Sequence, residues 1–239
     1  MITLICAMFL VTLVGSEKPT EAERKEVVEF FNRVRSNVNP SATDMNEVVY
    51  SLDLEKKAEE YAERCTLMLP ENSEDPVFKH YQGFLRESAL SDRNFTKFSA
   101  FWYSFYVNYT FANNSCGGIC SPYQMMICST VEGIGCGIKL CDSIEYGSNT
   151  SALIYVCLLT PWCLYRTMKP YFEGESCFDC PLENVCVNNL CSRTKAPTSK
   201  PQTTPTTTTT ATVTTSTSSA IWSGEMVSRI MLLVYLSVH

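Results

Sequence analysis

Thirteen cysteines in 239 residues constrain this chain more than any other feature. One, Cys6, lies in an apolar N-terminal run. The other twelve are Cys65, Cys116, Cys120, Cys128, Cys136, Cys141, Cys157, Cys163, Cys177, Cys180, Cys186 and Cys191. An even set in an exported chain reads as a framework of up to six disulfides, and disulfides persist only in oxidising compartments. The N-terminus points the same way. Ile2 to Val14 is apolar apart from Thr3 and Thr12 and is followed by the small residues Gly15 and Ser16. This run has the length of a signal-peptide core and falls short of the roughly 20 residues that span a bilayer, so residues 1–16 are expected to be a cleaved signal. A buried N-terminal helix, the competing reading, would leave an odd cysteine.

Composition divides the remainder. Residues 17–193 are mixed and aromatic-rich, enough for one sizeable core. Residues 194–220 are almost entirely Thr, Ser and Pro, with too little apolar surface to fold. In an exported chain this composition suggests an O-glycosylated stalk, the alternative being an unmodified linker. Residues 221–239 end in the apolar run Ile230 to Val238, too short to span a membrane. With the small triplet Ser218, Ser219 and Ala220 upstream, they form the pattern of a GPI signal with attachment expected at Ser218; otherwise the protein is simply secreted. The net charge is −6, and no basic run suggests nucleic acid.

Within the folded part, Thr20 and Glu23 form a capping box, and Val27, Phe30, Phe31 and Val34 repeat at helical spacing up to a helix region ended by Pro40. A second helix runs through Leu54, Ala58, Tyr61, Ala62 and Cys65, with Glu55, Lys56, Glu59, Glu60 and Glu63 on its other face. Phe98 to Val107 is a third. Met125 to Val131, Ile134 to Leu140 and Ala152 to Leu159 read as strands, with Gly133 and Gly135 marking a bend between the first two. Helices followed by strands imply an α+β domain on a largely antiparallel sheet.

Several segments, in order, resemble the CAP superfamily of cysteine-rich secretory, antigen 5 and pathogenesis-related 1 proteins. They are Phe31-Asn32-Arg33-Val34-Arg35 with Asn37 to Met45, Leu54 to Cys65, Phe101-Trp102-Tyr103, Gly135-Cys136-Gly137, and Lys169-Pro170-Tyr171 with Gly174. The resemblance implies an α-β-α sandwich over residues 17–175. Residues 176–193 resemble the cysteine hinge of cysteine-rich secretory and helminth venom allergen-like proteins. That likeness implies the pairs Cys177–Cys186 and Cys180–Cys191. Taken alone, the hinge spacing Cys-x-x-Cys…Cys-x4-Cys is also compatible with zinc, although the second gap is long for a zinc pair and no His is near.

The family's cleft carries two His and two Glu, a set able to bind a divalent metal or to support acid–base chemistry. The corresponding positions here are Leu69, Phe84, Phe105 and Pro122, and the His that opens the first-helix motif is Phe31. Only His80 and His239 exist in the chain. No metal, cofactor or catalytic residue is therefore expected. A nucleophilic Cys or Ser would need a base that the sequence does not supply, which leaves a CAP-type hydrolase the weakest reading. Cys128 and Cys163 stand where the family usually has Trp and Gly, so either they pair with each other or they remain free or intermolecular thiols.

The aromatic stretch Trp102, Phe105, Tyr106, Tyr109 and Phe111, with Tyr123, occupies the place where some family members carry a sterol-binding loop. Helical spacing explains the same residues as core. The sequons at Asn94, Asn108, Asn113 and Asn149 would place glycans around that loop. The expectation is a non-catalytic extracellular binding or display module, with a sterol or fatty-acid carrier as the alternative. Its partner would be an extracellular protein or lipid, and its only membrane link the GPI anchor.

Overall fold

The computed structural model describes residues 18–68, 82–88, 93–163 and 168–193. The first helix, α1 (Glu21–Arg35), starts at the expected capping box: the Glu23 N–H donates to Thr20 Oγ1 at 3.3 Å, and the Thr20 N–H donates to Glu23 Oε2 at 2.6 Å. Its end differs from expectation. The helix stops at Ser36, and Asn37 Nδ2 donates to the Arg33 carbonyl at 2.7 Å, so a side-chain cap ends it before the cis Asn39–Pro40 bond is reached.

The chain then forms β1 (Val49–Tyr50), α2 (Leu52–Ala62), β2 (Gln82–Ser88) and α3 (Phe95–Ser104), which continues as a 3-10 turn over Phe105–Asn108. A small hairpin, β3 (Tyr109–Thr110) and β4 (Ser115–Cys116), leads to α4 (Ser121–Met126). The long strands β5 (Gly133–Cys141) and β6 (Ala152–Thr160) follow, and the hairpin β7 (Val185–Val187) and β8 (Leu190–Ser192) closes the folded part. Helix α2 ends before Cys65, whose φ of 49° takes it out of the expected helical run. Helix α3 begins earlier than expected because Asn94 Oδ1 accepts from the Lys97 N–H at 2.8 Å.

The main sheet has the order β1-β5-β6-β2; β1 is parallel to β5 and the other pairs are antiparallel. Strand β6 is buried on both faces, and its alternation sorts the layers. Leu153, Tyr155, Cys157 and Leu159 face α1, α3 and α4, whereas Ala152, Ile154, Val156 and Leu158 face α2. This is a three-layer α-β-α sandwich.

Two sequence expectations fail here. Gly133 and Gly135 make no bend, since both lie within β5. Their neighbourhood is a helix-to-sheet contact: a Cβ on Gly135 would collide with the Glu55 backbone nitrogen, and one on Gly137 would stand 2.5 Å from that of Glu59. Glycine lets α2 lie directly on the strand. Met125 to Val131 is not a strand either. It is the end of α4 and an irregular run whose carbonyls turn inward onto Arg35.

Six disulfides fasten these elements: Cys65–Cys141, Cys116–Cys120, Cys128–Cys163, Cys136–Cys157, Cys177–Cys186 and Cys180–Cys191. The hinge hairpin is docked, not loose. The Cys191 N–H donates to the Met45 carbonyl at 2.7 Å, the Glu47 N–H donates to the Cys191 carbonyl at 3.0 Å, and Leu190 is buried with Ala42, Met45 and Tyr171.

Candidate functional site

The place to look for chemistry is the helix-covered face of the sheet, where Phe84, one of the substituted cleft positions, and Phe31 fall. Strand β2 turns Phe84 inward opposite Cys157 of β6. The Phe84 ring stacks on Trp102 of α3 at 4.7 Å and 19° and meets Phe31 of α1 edge-on at 6.2 Å. All three side chains are buried. Phe105 leans edge-on against Phe101 at 5.2 Å, and Pro122 sits in the first turn of α4. None of these groups titrates or ligates a metal. Leu69 and His80 lie outside the described residues, as does Ser218.

The six aromatic residues singled out from sequence go to different places. Trp102 belongs to the core stack. Tyr106 stacks on Tyr103 at 5.0 Å; Tyr123 lies 5.9 Å from Tyr103 and 6.2 Å from Tyr106, and Tyr109 lies 6.1 Å from Tyr123. Phe111 is buried against Tyr171 at 4.4 Å, with Lys169 Nζ over its ring at 4.4 Å. A cleft of about 390 Å³ lies elsewhere, among Arg35, Ser36, Asn37, Asn39, Ser176 and Asn189, and none of the six aromatics lines it. Among the sequons, Asn94 caps α3, half-buried Asn108 donates from Nδ2 to the Ile119 carbonyl at 3.1 Å, and Asn113 and Asn149 are exposed. The Cys177, Cys180 and Cys191 sulfurs lie within 4.8 Å of one another. Each is held in a disulfide, which offers no thiolate to a metal.

The sequence profile of the cysteine-rich secretory protein family (CAP) matches residues 28–159. The chain belongs to this family. It is 29% identical over 199 residues to GLIPR1-like protein 1 of Homo sapiens, covering 78% of this chain and 79% of that protein. It is 28% identical to peptidase inhibitor 16 of Mus musculus, with 74% of this chain matching only 35% of the longer relative. Among solved structures, the hookworm platelet inhibitor superposes with a TM-score of 0.58 at 21% identity, covering 74% of this chain and 93% of that one. BmVAL-1 gives 0.58 at 22%, over 76% and 98%.

Two buried polar centres of this CAP domain escaped the sequence reading. Arg35 is 1% exposed and donates to four carbonyls within 3.0 Å, those of Asn46, Met126, Cys128 and Val131, and to Ser129 at 3.3 Å. Burial pushes its guanidinium down to about 9, opposed by the charge of Asp44. These bonds explain why residues 126–131 abandon strand pairing. Glu55, read from sequence as part of a polar face, is 5% exposed. It accepts from Arg24 Nε and Nη2 at 2.8 and 2.9 Å and from the Tyr50 hydroxyl at 2.7 Å. Burial and the Glu55 bond raise the Tyr50 phenol, and Glu55 raises the Arg24 guanidinium. The three groups satisfy one another and pin α1, α2 and β1 together. Of its two partners, Tyr50 is near in sequence, but Arg24 arrives from 31 residues away, beyond the reach of helical spacing.

Burial pushes the Tyr109 and Tyr123 phenols from 10.0 up to about 12, with the neighbouring tyrosines adding to the effect at Tyr123. Between those pH values the folded state keeps protons that the unfolded chain has released. Their contribution to stability is therefore intact below pH 10 and is lost as pH climbs to about 12. Phenolate absorbance should develop at higher pH in folded than in urea-unfolded protein. Coincident titrations would show that the tyrosine cluster is not desolvated.

Proposed function

We propose that this CAP protein acts outside the cell as a non-catalytic binding module, displayed at a surface through its Thr/Ser/Pro stalk and a GPI anchor at Ser218. The observation that carries the reading is the Phe31–Phe84–Trp102 packing: Phe84, at one of the four positions where the family resemblance puts an ionisable residue, and Phe31, where it puts a His, are buried apolar rings packed with Trp102. Six disulfides suit an oxidising compartment. Among the described residues, no helix is long and apolar enough to cross a membrane. Two relatives are named as inhibitors, of peptidases and of platelets, which fits action by binding rather than by turnover. Sterol or fatty-acid carriage has less support, because Trp102 and Phe111, two of the six aromatics proposed for it, are buried core side chains stacked on Phe84 and Tyr171.

The test is made on protein purified from a secreting host. Zinc titration is expected to find no micromolar site, and solvent extraction with mass spectrometry no co-purifying sterol or fatty acid. One equivalent of zinc would restore a metal cleft, and one of lipid would make the protein a carrier; either result overturns the reading.

A further inference from the structure

From Phe98 to Val131 the chain carries no Asp, Glu, Lys, Arg or His, in a protein whose net charge is −6. Much of this stretch is at the surface. Phe101, Tyr103 and Tyr106 are 40%, 36% and 38% exposed, and Val107 and Ile119 are 66% and 63% exposed. The relief of the face follows from helical spacing. Ala100 and Ser104, one turn apart, form the exposed spine of α3, and Ser104 Oγ is turned back onto the Phe101 carbonyl at 2.6 Å. On one side of this low spine stands the Phe101–Phe105 pair, and on the other the Tyr103–Tyr106 stack. The result is a valley of small residues between two aromatic ridges.

We propose that this face docks a second copy of the same chain across a two-fold axis, α3 against α3. This inference rests on the binding-module reading and names a partner for it. Two arguments select a second copy. A two-fold contact uses the same patch twice, so the patch must carry both a projection and the depression that receives it. Here a tyrosine ridge lies beside a valley on one helix, and ridge-into-groove packing can satisfy both copies at once. The second argument is charge. Two molecules of net charge −6 repel, and the stretch from Phe98 to Val131 sets no carboxylate against its copy, with the cations Lys97 and Arg86 bordering it. Aromatic enrichment with depletion of charge is also the composition of interface cores. A lipid surface fits less well: the cation beside the ridge, Arg86, lies over the Phe101 ring at 4.3 Å, and the stretch supplies no row of cations for headgroups.

The experiment is sedimentation velocity over a concentration series on the secreted protein, both with its N-glycans and after their removal, since Asn108 and Asn113 border the face. A reversible dimer is expected in at least one form. Ala100→Arg and Ser104→Arg fill the valley at exposed helix positions; each should raise the dimer dissociation constant at least about tenfold with the melting curve unchanged. Leu182→Arg, at a fully exposed hinge position, should leave the dimer intact. A monomer in both glycan states overturns the proposal, as does a dimer indifferent to both valley variants. Binding of a monomer to phosphatidylcholine vesicles through Tyr103 and Tyr106 would give the face to lipid and overturn it too. A monomer free of lipid and zinc would leave the binding-module reading standing.

Discussion

Replacing Arg35 by methionine is expected to cost about 3–5 kcal/mol of stability, enough to abolish secretion or to halve the denaturant midpoint of what is secreted. The guanidinium is the only described partner of the Asn46, Met126 and Val131 carbonyls, which come from two distant stretches of the chain. Methionine fills much of the volume and supplies no donor, and each orphaned carbonyl carries a desolvation penalty of about 1–3 kcal/mol. Lysine at the same position keeps a charge but lacks the planar fork, so Arg35→Lys should recover only part of the loss. Equal midpoints for wild type and Arg35→Met in urea would show that water satisfies these carbonyls and that the arginine organises nothing.

The second large effect concerns the bridge that closes the longest loop. Cys65 and Cys141 are 76 residues apart and join the exit of α2 to the end of β5. Chain entropy assigns such a loop about 4 kcal/mol, and Cys65→Ala with Cys141→Ala should lower the melting temperature by roughly 10 °C. Cys116 and Cys120 are only 4 residues apart, and their removal should cost about half as much on the same reasoning. Calorimetry on both double variants decides the matter. If the short bridge proves as costly as the long one, loop closure is not what these disulfides contribute, and local packing is.

What the sequence made legible was what depends on near neighbours. The capping box at Thr20, the apolar stripe of α1 and the long strands β5 and β6 follow from spacing alone, and the ordered motifs identified the sandwich. The helix ends moved through local side-chain caps at Asn37 and Asn94, whereas three larger failures were decided by residues far along the chain. Residues 125–131 look like a strand until Arg35, more than 90 positions away, claims their carbonyls. Gly135 looks like a bend until α2 is seen to lie across it. Glu55 looks solvated until Arg24 arrives from α1, 31 residues earlier. At the aromatic surface, Phe105, Tyr106 and Tyr109 stood out as an aromatic run at the place of the family's sterol loop, but Tyr103 and Tyr171, which complete the clusters, were read only as parts of the family motifs. A ring's role there depends on what it stacks on, and Tyr103 meets both its helix neighbour Tyr106 and Tyr123, which arrives on a separate helix.

The docked hinge hairpin has a mechanical consequence. Any tension applied to the chain beyond Arg193 enters the fold through Ser192 and Cys191. Cys191 is covalently tied to Cys180, so the load bypasses residues 181–190, and the hairpin cannot be peeled open strand by strand. The same residue is bonded to Met45 and Glu47, which divides the pull between the hinge and the loop beneath Arg35. A tether at this end would therefore strain the body of the domain only after several parallel attachments had failed together.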